Sequence, residues 1–275
     1  MSLLHVVILA IVQGITEFLP ISSSGHLVLA WEAFDAAQMT AIEQAEADRL
    51  TLDIAVHVGT LAAVCLYAWR EIWMMLGGLW RLMRGRIDQG TRLMLQVILG
   101  SIPVVIAGYA IAKYAGGMLR SVEVIGWTTL GFGILLGLAD RAGMTVRRLE
   151  HMGYGSALAI GFAQVLALIP GTSRSGITMT MARFLGFERA DAARFSLLLA
   201  IPAILGAGTL SGIELWQSGD VQLTRDAFTA AGLAFVSALV AIVLMMAWLR
   251  RAGFMPFVVY RILLGGVLLY LVYAT

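Results

Sequence analysis

Residues 13–26 read QGITEFLPISSSGH. Gln13 and Glu17 stand four residues apart, so a helix would place both on one face. Ser22, Ser23 and Ser24 follow Pro20, and His26 lies three residues beyond Ser23. A serine that close to a histidine can supply a nucleophile and its base. Glu17 can bind a divalent metal or orient His26. A second cluster, PGTSRSGIT at 170–178, offers Gly171, Thr172, Ser173, Arg174, Ser175, Gly176 and Thr178. A glycine-bracketed hydroxyl cluster that opens a helix presents hydroxyls and free N–H groups, with the positive end of the helix dipole behind them. Arginine adds a permanent, forked positive charge that suits phosphate. Together the two clusters point to an anion site, for phosphate or pyrophosphate.

The elements that must position these groups lie in a bilayer. Of 275 residues, 60% are hydrophobic and 13% charged, against about a quarter charged in an average soluble domain. Mean hydropathy is +0.86. Long apolar stretches recur, with no sustained period-two alternation, so the chain reads as an all-α polytopic membrane protein and not as a barrel. The net charge of +2 decides nothing by itself. Cys65 is the single cysteine, which excludes an intramolecular disulfide and suggests a packed thiol. The segment MSLLHVVILA has no basic n-region, so a cleaved signal peptide is not expected. With no linker or low-complexity tract, residues 1–275 read as one integral membrane domain.

Six segments are long enough to span, about 50–80, 92–113, 121–140, 190–216, 226–249 and 255–273. Two pairs are not. Residues 3–19 break at Pro20 before a short segment, 22–34; residues 155–169 break at Pro170 before another, 175–186. Each second member reaches only ~18–20 Å, so each pair reads as a re-entrant helical hairpin. The basic stretches RLMRGRIDQGTR (81–92), RAGMTVRRLE (141–150) and Arg250–Arg251 are expected inside, and the acidic 32–48 segment outside. Threading the spans through these anchors brings the first hairpin in from the outer face and the second from the cytoplasmic face. That is an inverted-topology repeat, about 1–148 and 149–275. The alignment of AIVQGITEFLPISSSGH with GFAQVLALIPGTSRSGI, one residue out of step, supports it. Interrupted helices at matching positions place a site at the repeat interface.

Plainer readings compete. Ser22, Ser24 and Ser175 can simply bond back to the backbone. Glu17 and Arg174 can form a structural ion pair joining the halves. His57 reads as a packing or pore-side residue in preference to a ligand. His5 and His151 read as interface residues, and IWMMLGGLW (72–80) as lipid- or partner-facing surface. Both clusters recurring at matching places are harder to set aside.

At these residues the chain closely resembles the undecaprenyl-diphosphate phosphatases, the bacitracin-resistance family. The match runs from Gln13 to His26 and from Pro170 to Thr178, and continues through RFSLLLAIP and MPFVVYR. Gln13 stands where some members carry Glu, which leaves Glu17 as the stronger metal ligand and Gln13 as a neutral one. The resemblance implies hydrolysis of a C55 polyprenyl diphosphate to the monophosphate and phosphate, recycling of the lipid carrier for peptidoglycan synthesis, and bacitracin resistance. It also implies a divalent cation, Mg²⁺ or Ca²⁺. The expected partners are the lipid substrate and the bilayer, with no nucleic acid and with a homodimer left open. The expected location is the bacterial inner membrane, with the site opening to the periplasmic or outer face.

The expected mechanism puts Ser23, His26, Glu17 and Arg174 at the chemistry. Ser23 attacks the terminal phosphorus or positions the water that does; His26 shuttles the proton or is itself the nucleophile. Ser22, Ser24, Gly171, Thr172, Ser173, Ser175, Gly176 and Thr178 hold phosphate. The rival class is a transporter or flippase of polyprenyl phosphate, since inverted repeats are common there. A structural scaffold would leave both clusters unexplained.

Overall fold

A computed structural model describes residues 3–36, 45–114, 121–143, 146–218 and 221–274. Among these the chain is all-helical apart from one isolated bridge between Arg147 and Phe187. The first unit is α1 (Leu3–Thr16), a turn, and α2 (Ser23–Ala36); then come α3 (Ala45–Tyr67), α4 (Trp69–Met83), α5 (Gln89–Tyr114) and α6 (Val122–Ala142). The second unit is α7 (Tyr154–Val165), extended by a 3₁₀ turn at Leu166–Leu168, then a turn and α8 (Arg174–Phe184). It is followed by α9 (Arg189–Ser218), α10 (Val221–Leu249) and α11 (Met255–Ala274). Helices are what an apolar chain must form in hydrocarbon, because they satisfy every backbone N–H and C=O internally.

Four helices among the described residues are long and apolar enough to cross a membrane, within α5, α6, α10 and α11. The count is five if Leu52–Tyr67 and Trp69–Met83 make one span, but they meet at an angle of 80°. The segment expected to span over about 50–80 is thus built as two helices with a sharp bend between them. No proline or glycine marks the break at Ala68. The reason lies in packing: after the bend α4 crosses the start of α5, where a Cβ on Gly78 would sit 2.3 Å from the Thr91 nitrogen. Glu71, in the first turn of α4, also pairs with Arg194 of α9. Residues 37–44 of the acidic 32–48 stretch lie outside the described residues.

One packing relation recurs between the halves, although α3 lies far more extensively on α10 than α9 does on α5. α1 lies on α10 as α7 lies on α5, while α6 and α11 pack along each other. A buried cluster of Phe18, Val64, Leu136, Met179, Leu197, Ile242 and Phe254 joins both halves beneath the two turns. Below it, buried Asp140 of α6 accepts from Arg189 at 2.7 Å and from the Phe254 nitrogen at 3.1 Å, and lies 3.3 Å from Arg183 Nε. This charged knot ties α6, α8, α9 and α11 at one end. The expectation for His5 is corrected: it is 1% exposed, with its ring 4.2 Å from that of Phe34.

Candidate functional site

The two turns share one backbone device. Ser22 and Ser173, each the residue before a short helix, have φ of +75° and +73°. This left-handed conformation is uncommon for any residue but glycine and is a form of local strain. Each serine then caps the helix it precedes. Ser173 Oγ accepts from the Gly176 nitrogen at 3.0 Å, and Ser22 Oγ from the Gly25 nitrogen at 3.4 Å. Ser173 and Ser175 hydroxyls stand 3.1 Å apart, as Ser22 and Ser24 do at 3.4 Å. The residue that opens each helix is thereby presented at its tip: Ser23 on α2, Arg174 on α8.

These two tips meet at Glu17. Ser23 Oγ donates to Glu17 Oε2 at 2.6 Å, and Gln13 Nε2 donates to the same oxygen at 2.8 Å. Arg174 Nη2 donates to Glu17 Oε1 at 2.7 Å. The Gln13–Glu17 contact is the i, i+4 relation along the end of α1, and Glu17 continues that helix through its N–H to the Gln13 carbonyl. The plainer reading of Glu17 and Arg174 as an ion pair across the halves thus describes the geometry, and the same carboxylate also holds the serine.

A cavity of about 210 Å³ opens over this cluster, lined by Glu17, Ser23, Ser24, His57, Ser173 and Arg174, with Ala167, Ala203 and Ile204. His57, of α3, is a residue that sequence reasoning set aside as packing or pore-side. Its Nδ1 donates to the Asp53 carbonyl, which leaves Nε2 facing Glu17 Oε2 at 3.8 Å. A larger cavity, about 900 Å³, lies elsewhere between α4, α5 and α9 and includes Arg70, Glu71, Arg92, Asp191 and Arg194. No residue of either sequence cluster lines it, and within it Arg194 pairs with Glu71 and Asp191.

His26 faces away from Ser23. Its Nδ1 lies 2.6 Å from the Ser22 carbonyl and must donate to it. Its Nε2 lies 2.6 Å from Tyr260 Oη, and the two rings stack at 5.8 Å. Neither ring nitrogen contacts the serine, whose proton points at Glu17. The remaining sequence candidates build the turns without lining the cavity. Ser175 donates to the Leu19 carbonyl at 2.8 Å, linking one turn to the other. Thr178 donates to the Arg174 carbonyl at 2.9 Å and meets Ser196 Oγ at 2.8 Å. Gly171 takes φ of +89°, and a Cβ there would lie 2.1 Å from Thr128 Oγ1. Thr172 is buried in the same turn, and Gly176 in the first turn of α8.

One residue that sequence reasoning quoted without a role holds both turns. Arg261 of α11 is fully buried. It donates to Pro20 of the first turn at 3.2 Å, to Gly171 and Thr172 of the second at 2.9 Å each, and to Thr129 of α6 at 3.1 Å. All four acceptors are backbone carbonyls. Its signal was present in the sequence: a lone arginine inside the apolar run MPFVVYRILL, where an ionisable residue is functional by default.

Oxygen donors for a hard cation are present, though few. Among the described residues no three His, Cys, Asp or Glu side chains gather in one place. Glu17 is the one carboxylate of the cavity, Ser23 adds a hydroxyl, and Gln13 Oε1 is a buried acceptor with no hydrogen-bond partner among the described residues. This set suits a cation that takes one or two protein carboxylates and completes its shell with water and substrate phosphate.

Comparison with known proteins places this chain in a family. The chain is 51% identical over 279 aligned residues to "Undecaprenyl-diphosphatase 1" of Rhodospirillum rubrum, covering 99% of this chain and 96% of that one. It is 48% identical to "Undecaprenyl-diphosphatase" of Ruegeria pomeroyi over the full length of both. The protein of the same name from Hahella chejuensis is 46% identical, with 99% of each chain covered. The family described as bacitracin resistance protein BacA matches residues 6–267, and the chain belongs to that family.

Proposed function

We propose that the cavity between the two turns is where a polyprenyl diphosphate is cleaved, with Ser23 as nucleophile and Glu17 as its base. The protein is a multi-pass membrane phosphatase that hydrolyses undecaprenyl diphosphate to undecaprenyl phosphate and phosphate. It thereby recycles the lipid carrier of peptidoglycan synthesis and confers bacitracin resistance. The observation that carries the site is the convergence of Ser23, Glu17 and Arg174 on one cavity from opposite halves of the chain.

The terminal phosphate replaces Glu17 as the partner of Arg174, whose fork matches two phosphate oxygens. The N-termini of α2 and α8, with Ser24 and Ser173 beside them, face the same charge. Ser23 Oγ attacks the terminal phosphorus while its proton passes to Glu17 Oε2. The bond from that phosphorus to the bridging oxygen breaks, and undecaprenyl phosphate leaves. Nε2 of His57 faces the same carboxylate oxygen and can relay the proton to water. Water then attacks the phosphoserine, with Glu17 taking its proton and returning one to Ser23 as phosphate departs. Positioning and charge stabilisation supply most of the acceleration in phosphoryl transfer. Glu17, Gln13 and Ser23 would hold a bound Mg²⁺ or Ca²⁺, which supplies neutralisation of phosphate charge. His26 acts at one remove, fixing the Ser22 carbonyl and hence the tip of α2.

The fold we infer around this site is the inverted repeat of a re-entrant hairpin and three spans. The matched strain at Ser22 and Ser173 and the matched packing of α1 on α10 and α7 on α5 support it. In this threading the cavity opens to the outer face of the inner membrane, where the carrier is released after delivering its cargo. The test uses sealed vesicles of known orientation and a short-chain diphosphate that cannot cross them. Phosphate release from the outer-face side, abolished by a chelator and restored by Mg²⁺ or Ca²⁺, is expected. Turnover confined to the cytoplasmic side would overturn the orientation, and turnover indifferent to the chelator would overturn the cation.

A further inference from the structure

Helix α4 takes no part in the site, yet its surface is strongly organised. Trp69, Trp73, Leu76, Trp80 and Met83 follow one another at intervals of four, three, four and three residues, and each is at least 50% exposed. That spacing lays them in one stripe along the helix. At about 100° per residue, Gly78 falls opposite the stripe, where α4 is buried against α5. One flank carries Arg70, Arg81 and Arg84; the other carries Ile72 and Leu79. The guanidinium of Arg70 lies over the ring of Trp69 at 5.4 Å, and that of Arg84 over Trp80 at 4.7 Å. Among the described residues, Arg70, Arg84 and the neighbouring exposed Arg86 pair with no carboxylate.

We infer that α4 is an interfacial helix lying in the plane of the membrane surface, and that its basic flank binds the headgroups of anionic phospholipids. The 80° turn from α3 takes the chain out of the spanning direction. A helix so placed, with its protein face on α5, needs one polar edge toward the headgroups and one apolar edge toward the acyl chains. The Arg70–Arg84 edge and the Ile72–Leu79 edge meet those needs on opposite sides of the stripe. The stripe carries three tryptophans, residues enriched at the level between headgroup and hydrocarbon. Unpaired arginines beside it complement a negatively charged leaflet. A helix running into the core would instead sink Arg81 or Arg84 below the headgroups, where charge is expensive.

Depth measurement separates these geometries. Single nitroxide labels at 69, 73, 76, 80 and 83, in a Cys65→Ala background, are read by oxygen and nickel-chelate accessibility in vesicles of phosphatidylglycerol and phosphatidylcholine. Only labelled proteins that retain phosphatase activity are compared. All five sites are expected at one shallow depth, within a few Å. A graded depth approaching ~20 Å between 69 and 83, the rise of a helix entering the core, would overturn the interfacial placement. The headgroup claim is tested on Arg70→Gln/Arg84→Gln/Arg86→Gln protein with spin-labelled lipids. The preference for phosphatidylglycerol over phosphatidylcholine should fall at least twofold; an unchanged preference would overturn it.

Discussion

Arg174 Nη2 and Glu17 Oε1 lie 2.7 Å apart, joining side chains 157 positions distant in the sequence. The pair neutralises the cavity at rest and sets its first requirement: a phosphate must displace a carboxylate from the guanidinium. Glu17→Gln removes that competitor and a negative charge. In the presence of chelator, Glu17→Gln is expected to bind inorganic pyrophosphate roughly 10-fold more tightly than the parent, about 1.4 kcal/mol. Titration calorimetry checks it, and weaker binding would mean that Glu17 aids anion binding by a route other than this pair.

The hydrogen bonds of His26 separate its role from that of Ser23. Tyr260→Phe frees Nε2 of His26 without touching the serine. Turnover in that variant is expected to fall no more than about 10-fold, because a neutral hydrogen bond contributes only ~0.5–1.5 kcal/mol. His26→Gln should fall further, since it also releases the Ser22 carbonyl, yet should still form a phosphoserine at Ser23. Mass spectrometry of rapidly quenched protein detects that adduct. Phosphorylation found on His26 would reverse the assignment.

Arg261 predicts a structural effect distinct from chemistry. Its guanidinium satisfies carbonyls of both turns with no carboxylate nearby in the contacts it makes. Arg261→Met leaves several buried acceptors unpaired, at ~1–3 kcal/mol each. Thermal unfolding in detergent is expected to shift down by the equivalent of about 3 kcal/mol or more. A variant as stable as the parent would show that the turns hold themselves.

Asp88 gives a pH dependence outside the membrane segments. It precedes α5 and accepts from the Thr91 nitrogen at 2.9 Å and the Thr91 hydroxyl at 2.8 Å, while Arg81 Nε lies 2.7 Å away. The Thr91 backbone bond, then its hydroxyl, then Arg81 hold the carboxyl below its ordinary range. A depressed folded value means that the stabilisation is complete above the unfolded pKa, near 3.9. It is lost as pH falls through the lower, folded value. The stability difference between the parent and Asp88→Ala should therefore be constant from neutral pH down to about 5 and shrink only below about 4. A difference that already vanishes near neutrality would contradict the cap.

The legible and illegible parts of this protein divide along the distance of their contacts. Gln13 and Glu17 meet because a helix brings i and i+4 together, and the sequence spacing says so. The serine-rich turns are visible from Pro20, Pro170 and their glycines. Nothing local marks the left-handed φ at Ser22 and Ser173, because the strain is imposed by what packs around the turns. Tyr260 and Arg261 reach across more than 230 positions to His26 and Pro20, which no spacing rule covers. His57 has few polar companions on its own helix and meets the Glu17 carboxylate only when α3 packs beside α1. The bend at Ala68 had a signal that hydropathy averaging erased: Arg70 and Glu71 interrupt the apolar run just beyond it.

The central claim is that Ser23, Glu17 and Arg174 form one catalytic unit at the meeting of the two turns. Its most direct test is the initial rate of phosphate release from undecaprenyl diphosphate by purified Ser23→Ala, Glu17→Gln and Arg174→Lys proteins, each verified as folded. Removing one charge-stabilising or activating group from a preorganised site costs ~10²–10³-fold. Each single variant is expected to lose at least about 100-fold, and the double variant Ser23→Ala/Arg174→Lys little more than the worse single, because residues acting as a unit are not additive. Near-parental turnover in any one of the three would contradict the account.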